Sequence, residues 1–205
     1  MLKIYIARHG QDEDNARGIL NGRRDELLTK IGEAQALALG ENIKSLDLKF
    51  DEVYVSPLKR TIKTAEIISF VAGAPKAVEL EDLIERDFGV MSGQPTDSIK
   101  EQCSPNIIQA EVITYFLSPT GAETFPDLMV RAKRLLVYLT SRHSDGSILL
   151  VTHGDFGKMI YATFYNLPWQ QVLTQFHFGN SELLLVSEAS PANDSHVFKQ
   201  AQYNH

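Results

Sequence analysis

Short apolar runs alternate along this chain with longer segments in which apolar residues recur at helical spacing. This alternation is typical of an α/β fold built on a mostly parallel sheet. The predicted strands are Leu2–Ala7, Glu52–Val55, Ala77–Leu80, Ser147–Thr152 and Leu183–Ser187. The predicted helices are Thr29–Ser45, with Thr29 as N-cap, Pro57–Ala72, Phe125–Arg142 and Asp155–Phe164.

The stretch Asp87–Thr124 interrupts the alternation with glycines, prolines and one predicted helical run, Asn106–Leu117. We interpret it as an insertion that covers one end of the sheet. A length of 205 residues fits one domain, 1–205, with such an insertion better than two domains. The polar tail after Ser190 is predicted to be an edge strand or a frayed end.

Composition and charge argue against nucleic acid and a membrane as binding partners. The formal net charge of -6 argues against a broad nucleic-acid surface, and no apolar stretch is long enough to span a bilayer. Cys103 is the only cysteine and the amino terminus lacks a signal-peptide pattern, so we expect a cytoplasmic protein without disulfides. Oligomeric state is left open by the sequence, and a homodimer is compatible with it.

Two predicted strands end in a histidine followed by a glycine. The first leads into Arg8-His9-Gly10, and the strand SILLVT leads into His153-Gly154 before a helix. Open α/β sheets place ligands at the carboxyl ends of their strands. The spacing therefore predicts that two imidazoles and the Arg8 guanidinium lie at positions suited to an anion.

A third strand end carries Ser56-Pro57-Leu58-Lys59-Arg60, which places Arg60 in the first turn of a helix near free backbone amides. Arginine's planar fork of donors suits the equatorial oxygens of a transferring phosphoryl group. A neutral imidazole can attack phosphorus and form a phosphohistidine, a role open to His9 or His153. Glu85, in LIERDFG, is a candidate to protonate the leaving alkoxide through a carboxyl group with a raised pKa.

Each of these residues also has a simpler interpretation. His9, His153, Glu85 and Asp155 could instead bind zinc or iron, although Arg8 and Arg60 would repel a cation. Arg60 and Glu85 could be solvated surface residues in runs of charge. For Trp169, Tyr115 and Phe116, packing is the favoured role, and His143 and His177 are assigned none.

Taken together, these segments resemble the histidine phosphatase superfamily, in its phosphoglycerate mutase-like branch, from Leu2 to about Val186. The resemblance rests on Arg8-His9-Gly10 with Asn15, GRRDELLTKIGEAQA, SPLKRTIKTAEII, LIERDFGVMSG, GAETFPDLMVR and VTHG, in that order. It implies a three-layer αβα fold with helices on both faces of the sheet and the insertion 87–124 as a cap over the carboxyl ends of the strands.

The resemblance also implies roles for individual residues. His9 would carry the phosphoryl group, His153 would stabilise it in transfer, and Glu85 would be the proton donor. Phosphate binding would involve Arg8, Asn15, Arg60 and Gly154, without a metal or other cofactor. Gln11 and Asp12 depart from the glutamate and hydroxyl residue common in the family. A carboxylate at Asp12 would repel a second phosphate or a carboxylate of the substrate.

The function expected from these features is hydrolysis of a small phosphate monoester through a phosphohistidine. The nearest alternative is a phosphoglycerate mutase-type phosphotransferase, which uses the same residues and retains the phosphoryl group. Mutases of the family usually carry longer insertions that exclude water, so the chain length argues for hydrolysis. A non-catalytic domain that binds a phosphorylated ligand is the third interpretation.

Overall fold

The computed structural model describes residues 1–200, which form one six-stranded sheet, a two-stranded hairpin and seven α-helices. The strands are β1 (Lys3–Arg8), β2 (Glu52–Val55), β3 (Val78–Glu79), β4 (Ile107–Gln109), β5 (Thr114–Phe116), β6 (Ser147–Thr152), β7 (Leu183–Val186) and β8 (His196–Phe198). The helices are α1 (Glu13–Arg17), α2 (Lys30–Ser45), α3 (Lys59–Ala72), α4 (Ile99–Cys103), α5 (Phe125–Arg142), α6 (Gly154–Phe164) and α7 (Trp169–Gln175). Within this part of the chain, no helix combines the length and apolar character needed to cross a membrane.

The large sheet has the strand order β3-β2-β6-β1-β7-β8. The first four strands in that order run parallel, whereas β7 is antiparallel to both of its neighbours. All five predicted strands and the four helices predicted outside the insertion are confirmed to within a few residues. Of the two alternatives predicted for the tail after Ser190, the edge strand is confirmed, because β8 lies at the margin of the sheet.

Successive residues of the central strands point to opposite faces of the sheet and build two cores. Ile4 and Ile6 pack with α5, α6 and α7 on one face. Tyr5 and Ala7 pack with α2 and α3 on the other face. Because both faces are covered, the central residues of β1 and β6, Ile4–Ala7 and Ile148–Val151, are apolar without alternation, as expected for buried parallel strands. The predicted three-layer α/β architecture is therefore confirmed.

The predicted helix at Asn106–Leu117 is wrong. This segment forms the antiparallel hairpin of β4 and β5, and the helix of this region is α4, at Ile99–Cys103. The segment contains three isoleucines, a threonine, a tyrosine and a phenylalanine, residues that favour the extended backbone. Pairing between the two strands satisfies the backbone groups along one edge of each strand, and this hairpin pairing overrides the apparent helical spacing.

The loop after β1 is held against α2 by a close backbone contact. A Cβ atom on Gly10 would lie 2.2 Å from the carbonyl oxygen of Gly32, and one on Gly32 would lie 2.0 Å from the carbonyl oxygen of Gln11. Gln35 accepts the backbone N–H of Gln11 at 2.8 Å. Thr29 caps α2 as predicted, accepting from the Gly32 N–H at 3.0 Å. These contacts fix the backbone that carries His9.

Candidate active site

His9 follows the last residue of β1 and is only 2% exposed. Its Nδ1 lies 2.7 Å from the carbonyl oxygen of Gly10, which can only accept, so Nδ1 carries the proton. The lone pair of the ring is therefore on Nε2. Burial, together with the charges of Arg60 and Arg8, holds the pKa of His9 well below its usual range. The imidazole is neutral near neutral pH, as a nucleophile must be.

Arg60 lies in the first turn of α3 and its side chain is fully buried. Its Nε donates to Nε2 of His9 at 3.2 Å, and its two terminal nitrogens donate to the carbonyl oxygens of Arg24 and Gly22 at 2.6 and 2.7 Å. The surface interpretation of Arg60 is thus wrong. The backbone N–H of Lys59, expected to be free for phosphate, instead donates to Asp25 at 2.7 Å.

Asp12 is the counter-ion of Arg60. Its carboxylate lies 3.3 Å from Arg60 Nε, and it accepts hydrogen bonds from the Asn15 N–H at 2.7 Å and from Asn21 Nδ2 at 2.6 Å. The side chain is fully buried, and burial raises the pKa of Asp12. The carboxylate that the sequence suggested would face the substrate is thus occupied by partners within the protein.

His153 comes from the end of β6 and meets His9 edge to face. The two ring centroids are 5.1 Å apart at 62°. Nε2 of His153 lies 2.7 Å from Oγ of Ser56, while Nδ1 is buried without a hydrogen-bond partner in the described chain. Burial and the charge of Arg60 lower the pKa of His153 well below its usual range. The structure therefore brings the two predicted histidines together, with one ring nitrogen left for a ligand.

Arg8 packs against the start of α6. One terminal nitrogen donates to the carbonyl oxygen of Phe178 at 2.9 Å, and its buried Nε has no partner in the described residues. A Cβ atom on Gly154 would lie 3.3 Å from the guanidinium carbon, so the absence of a side chain there leaves Arg8 its space. The Nε hydrogen of Arg8 and Nδ1 of His153 are two buried polar groups that a bound anion would satisfy.

Asn15 lies in α1 and reaches the same region. Its Oδ1 accepts from Nδ2 of Asn180 at 3.3 Å, and Nδ2 of Asn180 also donates to the carbonyl oxygen of His9 at 3.1 Å. Asn180 belongs to the loop before β7 and was not predicted from the sequence. No local pattern marks it, because its contact with His9 joins residues far apart in the chain.

Glu85 is 5% exposed, so its surface interpretation is wrong. Its carboxylate accepts three backbone N–H groups, from Arg86 at 2.8 Å, Phe156 at 3.1 Å and Asp155 at 3.2 Å. Glu85 thus lies at the amino terminus of α6, directly after His153. Burial and the nearby charge of Asp155 raise the pKa of Glu85 despite these hydrogen bonds. A raised pKa is the property required of a proton donor.

A cleft of about 310 Å³ opens beside these groups. It is lined by four of the predicted site residues and by residues of the insertion. The four are Arg8, Asn15, Glu85 and Gly154, and the insertion contributes Phe88, Thr96, Asp97, Ile99 and Val112–Phe116. Asp97 and Val112 are exposed, so water reaches the cleft.

Two positively charged groups of the cleft were missed by sequence reasoning. Lys158 on α6 is 3% exposed and donates to the hydroxyl of Tyr115 at 2.6 Å. Arg86 pairs with Asp155 at 2.9 Å, and the rings of Phe88, Phe116 and Phe125 surround its guanidinium. Lys158 lies four residues after Gly154, a helical spacing that could have revealed it. No comparable sequence pattern marked Arg86 as a residue of the cleft.

Residues 1–200 contain no cluster of three or more histidine, cysteine, aspartate or glutamate side chains arranged to hold a metal ion. The two imidazoles instead adjoin Arg8 and Arg60, whose charges lower the pKa of both rings. The donor set is suited to an anion.

Comparison with known proteins gives a family match over most of the chain. Residues 4–195 match the family model of the histidine phosphatase superfamily (branch 1). A 2,3-bisphosphoglycerate-dependent phosphoglycerate mutase of Brucella melitensis is 30% identical over 176 residues, which are 84% of this chain and 85% of the relative. The two chains therefore have nearly equal length, and the argument from chain length against a mutase is wrong.

Solved structures share the fold. Phosphoserine phosphatase of Entamoeba histolytica, in complex with 3-phosphoglyceric acid, is 26% identical with a TM-score of 0.73 over 90% of each chain. A mycobacterial glucosyl-3-phosphoglycerate phosphatase is 23% identical with a TM-score of 0.77, covering 90% of this chain and 92% of that one. Phosphatases and mutases thus both occur among the proteins that this chain resembles.

Proposed function

Because this chain belongs to the histidine phosphatase superfamily, we propose that it is a phosphatase that hydrolyses a small phosphate monoester through a phosphohistidine at His9. The observation that carries the proposal is the state of the His9 ring. Its Nδ1 proton is directed to Gly10 and its Nε2 lone pair is shared with Arg60. The ring is thus neutral and oriented, as attack on phosphorus requires, and the fixed positive charge beside it attracts the phosphoryl group.

The remaining steps are assigned to groups around this ring. Arg8, Asn15 and Gly154 line the cleft, and Arg8 and His153 supply the unpartnered polar atoms for the phosphoryl oxygens. Nε2 of His9 attacks phosphorus as the bond to the ester oxygen breaks, and Glu85 donates its proton to that oxygen. Water then attacks the phosphohistidine, Glu85 takes up a proton from it, and inorganic phosphate leaves.

The insertion 87–124 acts as the cap that selects the leaving group, a proposal supported by its contribution to the cleft. We infer that water reaches the phosphohistidine through the cleft, whose lining residues Asp97 and Val112 are exposed. Access of water favours hydrolysis over return of the phosphoryl group.

Replacement of His9 by alanine tests the mechanism. Turnover of phosphate esters and acid-labile labelling of the protein should both disappear, while the circular dichroism spectrum is retained. Lys133→Met, an exposed substitution on α5, is the matched control and should behave as wild type. Full activity of His9→Ala would refute the mechanism.

A phosphoglycerate mutase is the second candidate, favoured by the 30% identity to a protein of that name. It would use the same His9 and Glu85. Phosphorus NMR of a reaction started with 3-phosphoglycerate separates the two candidates. Release of inorganic phosphate supports the phosphatase, whereas formation of 2-phosphoglycerate without phosphate release supports the mutase.

A further inference from the structure

The motif GAETFPDLMVR ends at Arg131, a buried cation on α5 to which the proposed reaction assigns no step. Its Nε and one terminal nitrogen donate to the two carboxylate oxygens of Glu123 at 2.9 and 2.8 Å. A bidentate pair of this kind fixes the orientation of the guanidinium plane. Within residues 1–200, Arg131 lies outside the lining of the cleft, so an effect on catalysis would have to pass through other residues.

The remaining donors of Arg131 bind the backbone that carries Glu85. The second terminal nitrogen donates to the carbonyl oxygens of Asp82 and Ile84 at 2.9 and 2.5 Å, and the first donates to that of Glu85 at 3.4 Å. Ile84 and Glu85 belong to no helix or strand, so side-chain donors supply partners for their carbonyl oxygens. All five N–H groups of the guanidinium therefore have acceptors.

Arg131 also contacts a residue that holds the side chain of Glu85. The guanidinium carbon lies 4.0 Å from the centroid of the Phe156 ring, over an aromatic face that attracts a cation. The backbone N–H of Phe156 donates to the Glu85 carboxylate at 3.1 Å. The backbone and the carboxylate of Glu85 are thus both held by groups that meet on Arg131.

Glu123 is itself held where the two ends of the insertion meet. Its backbone N–H donates to the carbonyl oxygen of Asp87 at 2.9 Å, and the Asp87 N–H donates to the Glu123 carboxylate at 3.4 Å. Arg23 donates to the same carboxylate at 3.2 Å and to the carbonyl oxygen of Glu85 at 3.1 Å. These contacts restrict the position of Glu123 and of the guanidinium paired with it.

From these contacts we propose that Arg131, paired with Glu123, is a positioning residue that holds Glu85 in place for proton transfer to the leaving oxygen. The inference rests on the proposed function for the role of Glu85. A general acid must lie within hydrogen-bond reach of its target, and a displacement of about 1 Å can lower the rate about 10²-fold. The planar fork binds a carboxylate and three carbonyl groups in one arrangement, which a compact ammonium cannot reproduce.

Arg131→Lys, which keeps the charge and loses the fork, tests the inference through its dependence on the leaving group. Because kcat/KM reports formation of the phosphohistidine, it should fall about 10- to 10²-fold for an alkyl phosphate and less than about 3-fold for p-nitrophenyl phosphate, whose leaving group needs no proton. Arg134→Lys, on the same helix and paired with the Asp82 side chain, is the matched control and should leave both values unchanged. Equal losses for the two esters would indicate a purely structural role and overturn the proposal.

Two further variants secure this test. Addition of Arg131→Lys to Glu85→Gln should cause no further loss for the alkyl phosphate, because the donor that the guanidinium positions is already absent. Losses that multiply would overturn the proposal. Glu123→Gln removes the counter-ion of Arg131 and should show the same dependence on the leaving group with a smaller loss. It replaces Arg131→Lys in every measurement if that variant does not fold.

Titration of the Glu85 carboxyl by carbon-13 NMR, with Glu85→Gln to assign the signal, separates this inference from the proposed function. Arg131→Lys preserves the charge, so a change in the raised pKa of Glu85 would report a change in its surroundings. A loosened segment admits water, and the pKa should move towards the ordinary value of about 4.3. If the wild type turns over no ester, the proposed hydrolysis fails and the titration decides alone. A lowered pKa then supports the positioning of Glu85 by Arg131, and an unchanged pKa overturns it.

Discussion

Arg60 donates its Nε hydrogen to Nε2 of His9 at a distance of 3.2 Å. The guanidinium is therefore hydrogen-bonded to the lone pair that attacks phosphorus in the proposed reaction. The rest of the guanidinium is held by the carbonyl oxygens of Gly22 and Arg24 and by the carboxylate of Asp12. Arg60 therefore cannot swing away freely. Attack on phosphorus requires the His9 lone pair to turn from Arg60 to the substrate, whose phosphoryl oxygens then take over the guanidinium donor.

Arg60→Lys should reduce kcat/KM by about 10²- to 10³-fold for every phosphate ester tested, because a compact ammonium cannot reproduce the planar fork whose three nitrogens reach His9 and two carbonyl groups. Steady-state kinetics on an alkyl and an aryl phosphate measure the loss. Arg134→Lys, which alters an exposed pair with Asp82, is the matched control and should leave kcat/KM unchanged. Wild-type kinetics of Arg60→Lys would contradict the role of the guanidinium fork.

Asp12→Asn should lower the free energy of unfolding by about 3 kcal/mol, because it leaves the buried Arg60 without its counter-ion. Asparagine is as good an N-cap as aspartate, so the start of α1 should survive. Urea denaturation measures the change. Glu13→Gln, in an exposed pair with Arg17, should change the free energy of unfolding by less than about 1 kcal/mol. Equal effects of the two substitutions would show that the Asp12 charge is not needed.

Glu85→Gln should reduce kcat/KM for an alkyl phosphate by about 10²- to 10⁴-fold, because the leaving alkoxide loses its proton donor. The loss should be much smaller for p-nitrophenyl phosphate, whose leaving group departs without protonation. Wild-type activity should decline as the pH rises through the raised pKa of Glu85, and this decline should be absent from Glu85→Gln. The exposed Glu81→Gln is the control. Equal losses for the two esters would exclude Glu85 as the donor.

Gly10→Ala should destabilise the protein by about 3 kcal/mol and reduce activity, since the new Cβ would lie 2.2 Å from the Gly32 carbonyl oxygen. Relief of this clash would move the loop that carries His9. Gly73→Ala has nothing within 4 Å of its Cβ and meets only the strain of a positive φ, about 1 kcal/mol. It should retain full activity. Thermal unfolding and kinetics of both variants check the difference.

Stability should fall as the pH drops below about 6.5, the ordinary pKa of an unfolded histidine. The pKa values of His9 and His153 are lowered in the folded protein, so the unfolded chain binds protons that the folded chain does not. Each neutral imidazole thus removes up to about 2 kcal/mol from the free energy of unfolding at pH 5. Glu85 and Asp12 act in the opposite direction, because their pKa values are raised.

Comparison of the wild type with His9→Asn separates the contribution of the His9 imidazole to the pH dependence of stability from the opposing contributions of Glu85 and Asp12. Urea denaturation of both proteins at pH 7.5 and pH 5.0 provides the measurement. The wild type should lose more stability than His9→Asn on acidification. A variant that loses as much as the wild type would show that His9 becomes protonated in the folded state.

The layers of the fold and the meeting of His9 with His153 were predictable from sequence. Strand and helix periods are local properties, and parallel strands deliver their carboxyl ends to one edge whatever the details of packing. The same reasoning failed at Asn106–Leu117. There the pairing of β4 with β5 decides the structure, and pairing depends on partners rather than on local period.

The sequence by itself determined the α/β architecture and the residue types that gather at the sheet edge. Both follow from short stretches of sequence: the alternation of apolar segments and the motifs at the strand ends. Only the tertiary structure decided that Asp12 neutralises Arg60, that Glu85 is buried at the start of α6 and that the buried Lys158 donates to Tyr115. Burial and pairing of charge depend on surfaces contributed by distant segments. The electrostatics of the site therefore emerge only when those segments pack.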